Sequence, residues 1–202
     1  MKLSAQKTLA LLFLVCALPL LIAFLALKFE WFTTTNNYGT LLQPQVSVST
    51  ATFENINGEP FTMADVAGKW VLIQVIQSNC DTVCQNALYY QGQARKTKGK
   101  EMYRIERVVL VTDRGPLSTQ LLRQHPEVRF IRAPLEQLQN WLPLDQGIVS
   151  HRGSQQVLTH YDHIFVADPL GHVMMRFPPN HQLEFKKFRK DISRLLWASN
   201  IG

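Results

Sequence analysis

From Thr8 to Leu27 the chain carries no charged residue and is dominated by Leu, Ala, Val and Phe. That length is close to the roughly 20 residues that cross a bilayer core, so the run predicts a transmembrane helix. Beyond it the pattern changes. A stretch from Thr33 to about Thr50, rich in Thr, Asn and Gln, reads as polar linker, and after it short apolar runs alternate with segments whose apolar positions repeat at helical spacing. The expected organisation is an N-terminal segment at 1–7, an anchor at 8–27, a linker at 28–50 and a domain at 51–202, which is enough chain for one compact unit and not comfortably for two.

Within that domain, Thr52 to Met63 reads as a hairpin around the Asn57-Gly58 turn signal, with Phe53, Ile56 and Phe61 as its apolar positions. A helical turn over 64–66 and Gly68-Lys69 lead to the apolar strand Trp70 to Ile76, and a helix is expected to open at the next residues and run towards Arg95, with Ala87, Leu88 and Tyr90 packing. Ile105 to Thr112 is a second buried strand closed by Asp113-Arg114-Gly115-Pro116; Ser118 to Gln124 looks helical; Val128 to Ile131 is a short strand with alternating exposure. Leu135 to Trp141 predicts another short helix, followed by a loop over 143–154. Ile164 to Ala167 predicts a core strand, turned by Asp168-Pro169-Leu170-Gly171 into Val173 to Phe177, and a final helix over Leu183 to Trp197 carries Phe185, Phe188, Ile192, Leu195 and Leu196 on one stripe.

The flanks of the anchor set an expected orientation. Lys2 and Lys7 precede it, whereas Lys28 after it is offset by Glu30, so the positive-inside bias leaves the N-terminus in the cytoplasm and the domain on the other side, a periplasm or equivalent space. Trp31 and Phe32 suit the interfacial aromatic belt. A cleaved signal peptide fits less well, because the run is long for one and no small-x-small site follows. Val15 argues against lipid attachment at Cys16, which reads as a small apolar residue. The net charge of +6 comes without a basic stripe interleaved with aromatics, so nucleic acid is not an expected partner; a solvated basic surface, or an acidic protein or membrane, fits better.

Chemistry concentrates in Gln77-Ser78-Asn79-Cys80-Asp81-Thr82-Val83-Cys84, which holds two of the three cysteines directly after the first core strand. The C-terminal ends of strands are where open α/β sheets place their sites. If the segment after Asn79 is helical, a spacing of four brings the thiols to one face with Cα atoms about 6 Å apart, close enough to close a disulfide or share a soft metal ion. A purely structural disulfide across one turn would constrain the fold little, which favours a functional pair. Helix-dipole stabilisation of the Cys80 thiolate would make it a nucleophile that Cys84 resolves.

A hairpin, strand-helix-strand units, a second hairpin and a last helix is the order of a thioredoxin-like α/β domain, a central mixed sheet flanked by helices, here preceded by one transmembrane helix. The stretch Phe53 to Trp70, with Asn57-Gly58, Phe61, Asp65 and Gly68-Lys69-Trp70, resembles the entry segment shared by peroxiredoxins, membrane-anchored periplasmic thioredoxins and the Sco (SenC-like) copper proteins. Three residues between Cys80 and Cys84, the Val109-Leu110-Val111-Thr112-Asp113-Arg114 segment, and a histidine before the last hairpin are similar to the Sco pattern over nearly the whole domain. Gln85 stands where that family has proline, and Leu170 where the turn has aspartate.

The resemblance implies a copper site, Cu(I) or Cu(II), made by Cys80, Cys84 and a histidine. His160 has the family's distance to the Pro169–Gly171 turn, while Asp162-His163 imitates its Asp-His dipeptide, so His160 is the first candidate and His163 the alternative. The two stand three residues apart and, if both are extended, on opposite faces. Two thiolates and an imidazole suit copper better than a closed zinc site, for which a fourth ligand is not evident. His125, His151, His172 and His181 read as solvated or capping residues, and Met174 and Met175 as packing. The implied function is a single-pass inner-membrane factor that assists assembly of the copper centre of cytochrome c oxidase by copper delivery or thiol maintenance, its partner an oxidase subunit or another copper or thiol protein. A periplasmic thiol-disulfide oxidoreductase, and an oxidase assembly partner without metal or turnover, are the alternatives.

Overall fold

In the computed structural model the charge-free run is a helix, α1 (Ala5–Lys28), and a 21-residue segment of it, Gln6–Ala26, is long and apolar enough to cross a membrane. The structure describes residues 5–29, 37–48, 52–138, 142 and 163–199. The chain divides into two units, Met1–Asn37 and Tyr38–Gly202. Within the first, α1 exposes Leu9, Phe13, Leu20 and Phe24, an apolar surface that water does not favour and lipid does.

The second unit is built on one eight-stranded mixed sheet in the order β1-β8-β7-β4-β5-β6-β2-β3. Its centre is β4 (Trp70–Ile76), buried throughout, as an apolar run covered on both faces must be. Beside it β5 (Ile105–Val111) is parallel, in register Trp70 to Ile105 through Ile76 to Val111. On the other side β7 (Ile164–Ala167) is antiparallel, with Gln74 opposite Ile164. β6 (Arg129–Arg132) runs parallel to β5, and β8 (His172–Arg176) antiparallel to β7. The hairpin of β2 (Thr52–Asn55) and β3 (Pro60–Thr62) closes one edge, its turn held by Gly58 at φ +84°. In β6 both Phe130 and Ile131 are buried rather than alternating, because the strand has the sheet's two packed faces around it.

Helices cover the two faces. α2 (Thr82–Lys96) and α5 (Phe185–Ala198) lie on the face of Trp70, Leu72, Ile164 and Val166, where Phe188, Ile192 and Leu196 of the predicted stripe are buried with Ala87 and Ala94. The opposite face, carrying Val71, Ile73, Val75, Phe165 and Ala167, is covered by the β2–β3 hairpin, a 3-10 turn at Met63–Val66 and Leu138 of α4 (Leu135–Leu138). α3 (Thr119–Gln124) supplies Leu121 to a third cluster around Ile76, Leu88, Val109 and Val111. A fully buried Arg107 on β5 donates to Glu127 at 2.8 Å and to the Leu88 carbonyl at 2.6 Å, while its Nε has no partner among the described residues; burial pushes its pKa down to about 10 against the opposing pull of Glu127.

The expected linker does not extend through residue 50. Thr40–Ser47 forms β1, paired antiparallel with β8 and interrupted by a bulge between Leu41 and Val46. Sparse apolar residues and a central proline hide an edge strand from pattern reading, since one side of such a strand needs no partner. Its entry is fixed from the far end of the chain: the buried Asp191 carboxylate of α5 accepts the N–H groups of Tyr38 at 2.6 Å and Gly39 at 2.9 Å. The rest of the expected short helix, 139–141, and the expected loop at 143–154 lie outside the described residues, apart from Leu142, which is buried.

Candidate redox and metal site

β4 ends at Ile76, and four residues later the chain reaches the cysteines at the mouth of α2. The helix starts at Thr82, two positions later than the sequence suggests. Asp81 is its N-cap, with extended backbone and a side chain that accepts the Cys84 N–H at 2.9 Å, so Cys80 precedes the helix and Cys84 lies in its first turn. An Asp at that position satisfies an otherwise orphaned amide, and this is why helix starts there rather than at Cys80. The thiols nonetheless meet: Cys80 and Cys84 are joined by a disulfide with Cα atoms 5.3 Å apart. Both are half-buried against the cluster of Ile76, Leu88 and Val111. Gln85 donates its side-chain N–H to the Cys80 carbonyl at 2.9 Å and ties the loop to the helix.

Below the disulfide sits an amide pair that sequence reading missed. Gln74 interrupts an apolar strand and is fully buried; its Nε2 lies 3.4 Å from the Cys84 carbonyl oxygen and 3.9 Å from Cys84 Sγ, and its Oε1 accepts Gln91 Nε2 at 2.5 Å. The signal was the one amide within Trp70 to Ile76, visible but mute until α2 is docked over it.

The loop ahead of the cysteines is clamped to the loop after β5. Asp113 accepts the Ser78 N–H at 2.9 Å and the Ser78 hydroxyl at 2.7 Å, while Arg132 donates to the carbonyls of Asp113 at 2.7 Å and Gly115 at 2.9 Å. A Cβ on Gly115 would fall on the Ser78 hydroxyl, so close approach requires glycine there. Burial pushes the Asp113 carboxyl up, but the two Ser78 hydrogen bonds and the Arg132 charge together outweigh it and hold it below its ordinary value.

The histidine candidates divide. His160 lies outside the described residues. His163 is half-buried just ahead of β7, its Nδ1 2.7 Å from the Phe177 carbonyl and its ring against Phe165, on the sheet face that α2 does not cover. One of its nitrogens is thus engaged by backbone. Among the described residues no group of three or more His, Cys, Asp or Glu is arranged to hold a metal ion. The soft donors that the described residues bring together are the two sulfurs, which when reduced suit low-coordinate Cu(I). Met175 is buried core, as packing predicts.

A half-buried disulfide between the end of a central strand and the first turn of the next helix, in a mixed sheet with helices on it, defines a thioredoxin-like protein. A family profile described as the transmembrane-like, thioredoxin-like C-terminal domain matches residues 70–199, and the chain belongs to that family. No curated protein matches it. Among solved structures it is similar to apo Sco1 from Thermus thermophilus, at 19% identity and TM-score 0.58, covering 81% of this chain and 99% of that one. It is also similar to yeast Sco1 with copper bound, at 18% identity and TM-score 0.55 over 77% of this chain and 91% of that one. The thioredoxin domain of a thiol-disulfide oxidoreductase from Bacteroides vulgatus matches at 14% identity and TM-score 0.52, over 77% and 99%. At such identities the likeness establishes the fold, and its neighbours include both copper and thiol proteins.

Proposed function

We propose that this is a membrane-anchored, Sco-like thiol protein whose Cys80–Cys84 pair alternates between disulfide and dithiol, the dithiol taking Cu(I) as cargo for the copper centre of cytochrome c oxidase. The observation that carries the reading is the disulfide itself. It closes a loop too short to stabilise the fold appreciably, and it is half exposed where an external thiol can reach it. α1 supplies the anchor in this reading, with the N-terminus cytoplasmic, residues 8–27 in the bilayer, a shortened linker, and the domain in the periplasm. His160 is the proposed nitrogen donor to copper, His163 being turned to the Phe177 carbonyl.

A second reading, a thiol-disulfide oxidoreductase without metal cargo, is favoured by one observation: the two sulfurs are joined as a half-exposed disulfide where α2 begins. One experiment separates the two. The reduced protein is expected to bind one Cu(I) in competition with a chelator, Cys80→Ser or Cys84→Ser to abolish tight binding, and His160→Ala to weaken it more than His163→Ala does. Uptake of no copper by a dithiol that still reduces and reoxidises would leave the oxidoreductase. A pair inert to both copper and mild oxidant would leave only a partner-binding role.

A further inference from the structure

Gln74 is a costly residue in its place. A side-chain amide at 0% exposure in the central strand must be fully hydrogen-bonded, and replacing a paired set of buried polar groups by apolar side chains of similar shape is often nearly neutral for stability. Stability therefore gives little reason for an amide here. Its orientation is fixed by neighbours. The Cys84 carbonyl is an acceptor only, so Gln74 must turn its NH2 group towards it, and Oε1 then faces the Gln91 donor. The same NH2 lies 3.9 Å from Cys84 Sγ. Gln91 Oε1 is left buried without a hydrogen-bond partner among the described residues, so the chain of donors runs one way, from Gln91 through Gln74 to the sulfur.

We infer that Gln74 sets the redox balance of the pair: its N–H donates to the Cys84 sulfur and favours the dithiol over the disulfide, making Cys84 the sulfur that leaves when the disulfide is opened. The inference rests on the thiol-exchange part of the reading above. The co-reactant is an external dithiol. Its first thiolate attacks Cys80 Sγ, a new S–S bond forms, the Cys80–Cys84 bond breaks, and its electron pair departs on Cys84 beside the Gln74 N–H. The partner's second thiolate then attacks its own sulfur in the mixed disulfide and frees Cys80. The chain gains two electrons and the partner becomes a disulfide; of the two protons lost by the partner's thiols, one is taken up by Cys80 and the other passes to solvent, leaving Cys84 as the thiolate beside the Gln74 N–H. A hydrogen bond strengthens as sulfur gains charge, so the donor stabilises the reduced side more than the oxidised side.

The test equilibrates the full-length protein in detergent micelles with dithiothreitol couples of fixed ratio and reads the Cys80–Cys84 redox state by thiol alkylation and mass spectrometry. Gln74→Met, which keeps the shape and removes the donor, is expected to shift the equilibrium towards disulfide by about tenfold, or about 30 mV. Gln91→Leu, which leaves the donor in place, should shift it by less than about threefold. The double variant Gln74→Met/Gln91→Leu removes both amides together; it should repeat the Gln74→Met shift with a melting temperature near that of wild type. Equal redox equilibria for wild type and the Gln74 variants overturn the inference while the thiol-exchange reading stands. So do shifts that follow melting temperature whichever glutamine is changed. A wild-type disulfide that does not exchange at all overturns both.

Discussion

Single residues decide how the cysteine loop is presented. Asp81 caps α2 through the Cys84 amide, and Asp113 holds the Ser78 amide and hydroxyl from across the sheet end, so the disulfide is framed by two carboxylates whose hydrogen bonds go to the loop rather than to sulfur. Asp113 also makes the clamp pH-dependent. Its folded-state pKa lies below the unfolded value, so its contribution is fully present above the ordinary carboxylate range and is lost as pH falls through the lowered folded value. Asp113→Asn should cost about 1 kcal/mol at neutral pH, the partial exposure of the group keeping the figure low. Urea denaturation of both forms at neutral and strongly acidic pH checks this: the gap between them should narrow on acidification, and a gap independent of pH would mean that charge at Asp113 contributes nothing.

At the scale of elements, β1 and α5 depend on each other. β1 is an edge strand with no fully buried residue, and it is held by ladder bonds to β8 together with the Asp191 carboxylate of α5, which receives two backbone N–H groups at Tyr38 and Gly39. Tyr38 adds to the tie, its hydroxyl donating to the Gln182 carbonyl at 2.9 Å and accepting the Glu184 N–H at 2.8 Å. Removing the carboxylate leaves two amides without their acceptor. Asp191→Ala is expected to lower stability by about 2 kcal/mol and to raise hydrogen exchange first in residues 38–48, measured by mass spectrometry. Exchange that rises equally throughout the sheet would show that β1 is not separately latched.

For the whole molecule, the decisive matter is which side of a membrane the disulfide occupies. A half-exposed disulfide persists in an oxidising compartment, and in the proposed reading the positive-inside bias of Lys2 and Lys7 would deliver the domain to one. A reporter enzyme active only outside the cytoplasm, fused after Gly202, should be active, and the protein should remain in the membrane fraction with residues 1–27 intact. A soluble mature form beginning well after Leu27 would remove the anchor from this account.

Much of this was legible in the chain because local rules and tertiary demands agree. The charge-free run, the Asn57-Gly58 turn, the all-apolar Trp70 to Ile76 apart from Gln74, and the stripe of α5 each specify one element by period or by a backbone preference, and the element order then fixes the thioredoxin-like class. The closeness of Cys80 and Cys84 was also legible, since a helical turn between residues four apart brings them to one face. What needed the tertiary structure lies between elements distant in sequence. β1 is a strand only because β8 offers it a ladder; Gln74 meets Cys84 only because α2 packs over β4; Ser78 meets Asp113 only because β4 and β5 end side by side. His163 is turned to the Phe177 carbonyl for the same reason, a pairing of β7 with β8 that a dipeptide pattern does not contain. Periodicity reports which face a residue has, whereas the partner across that face is chosen by packing.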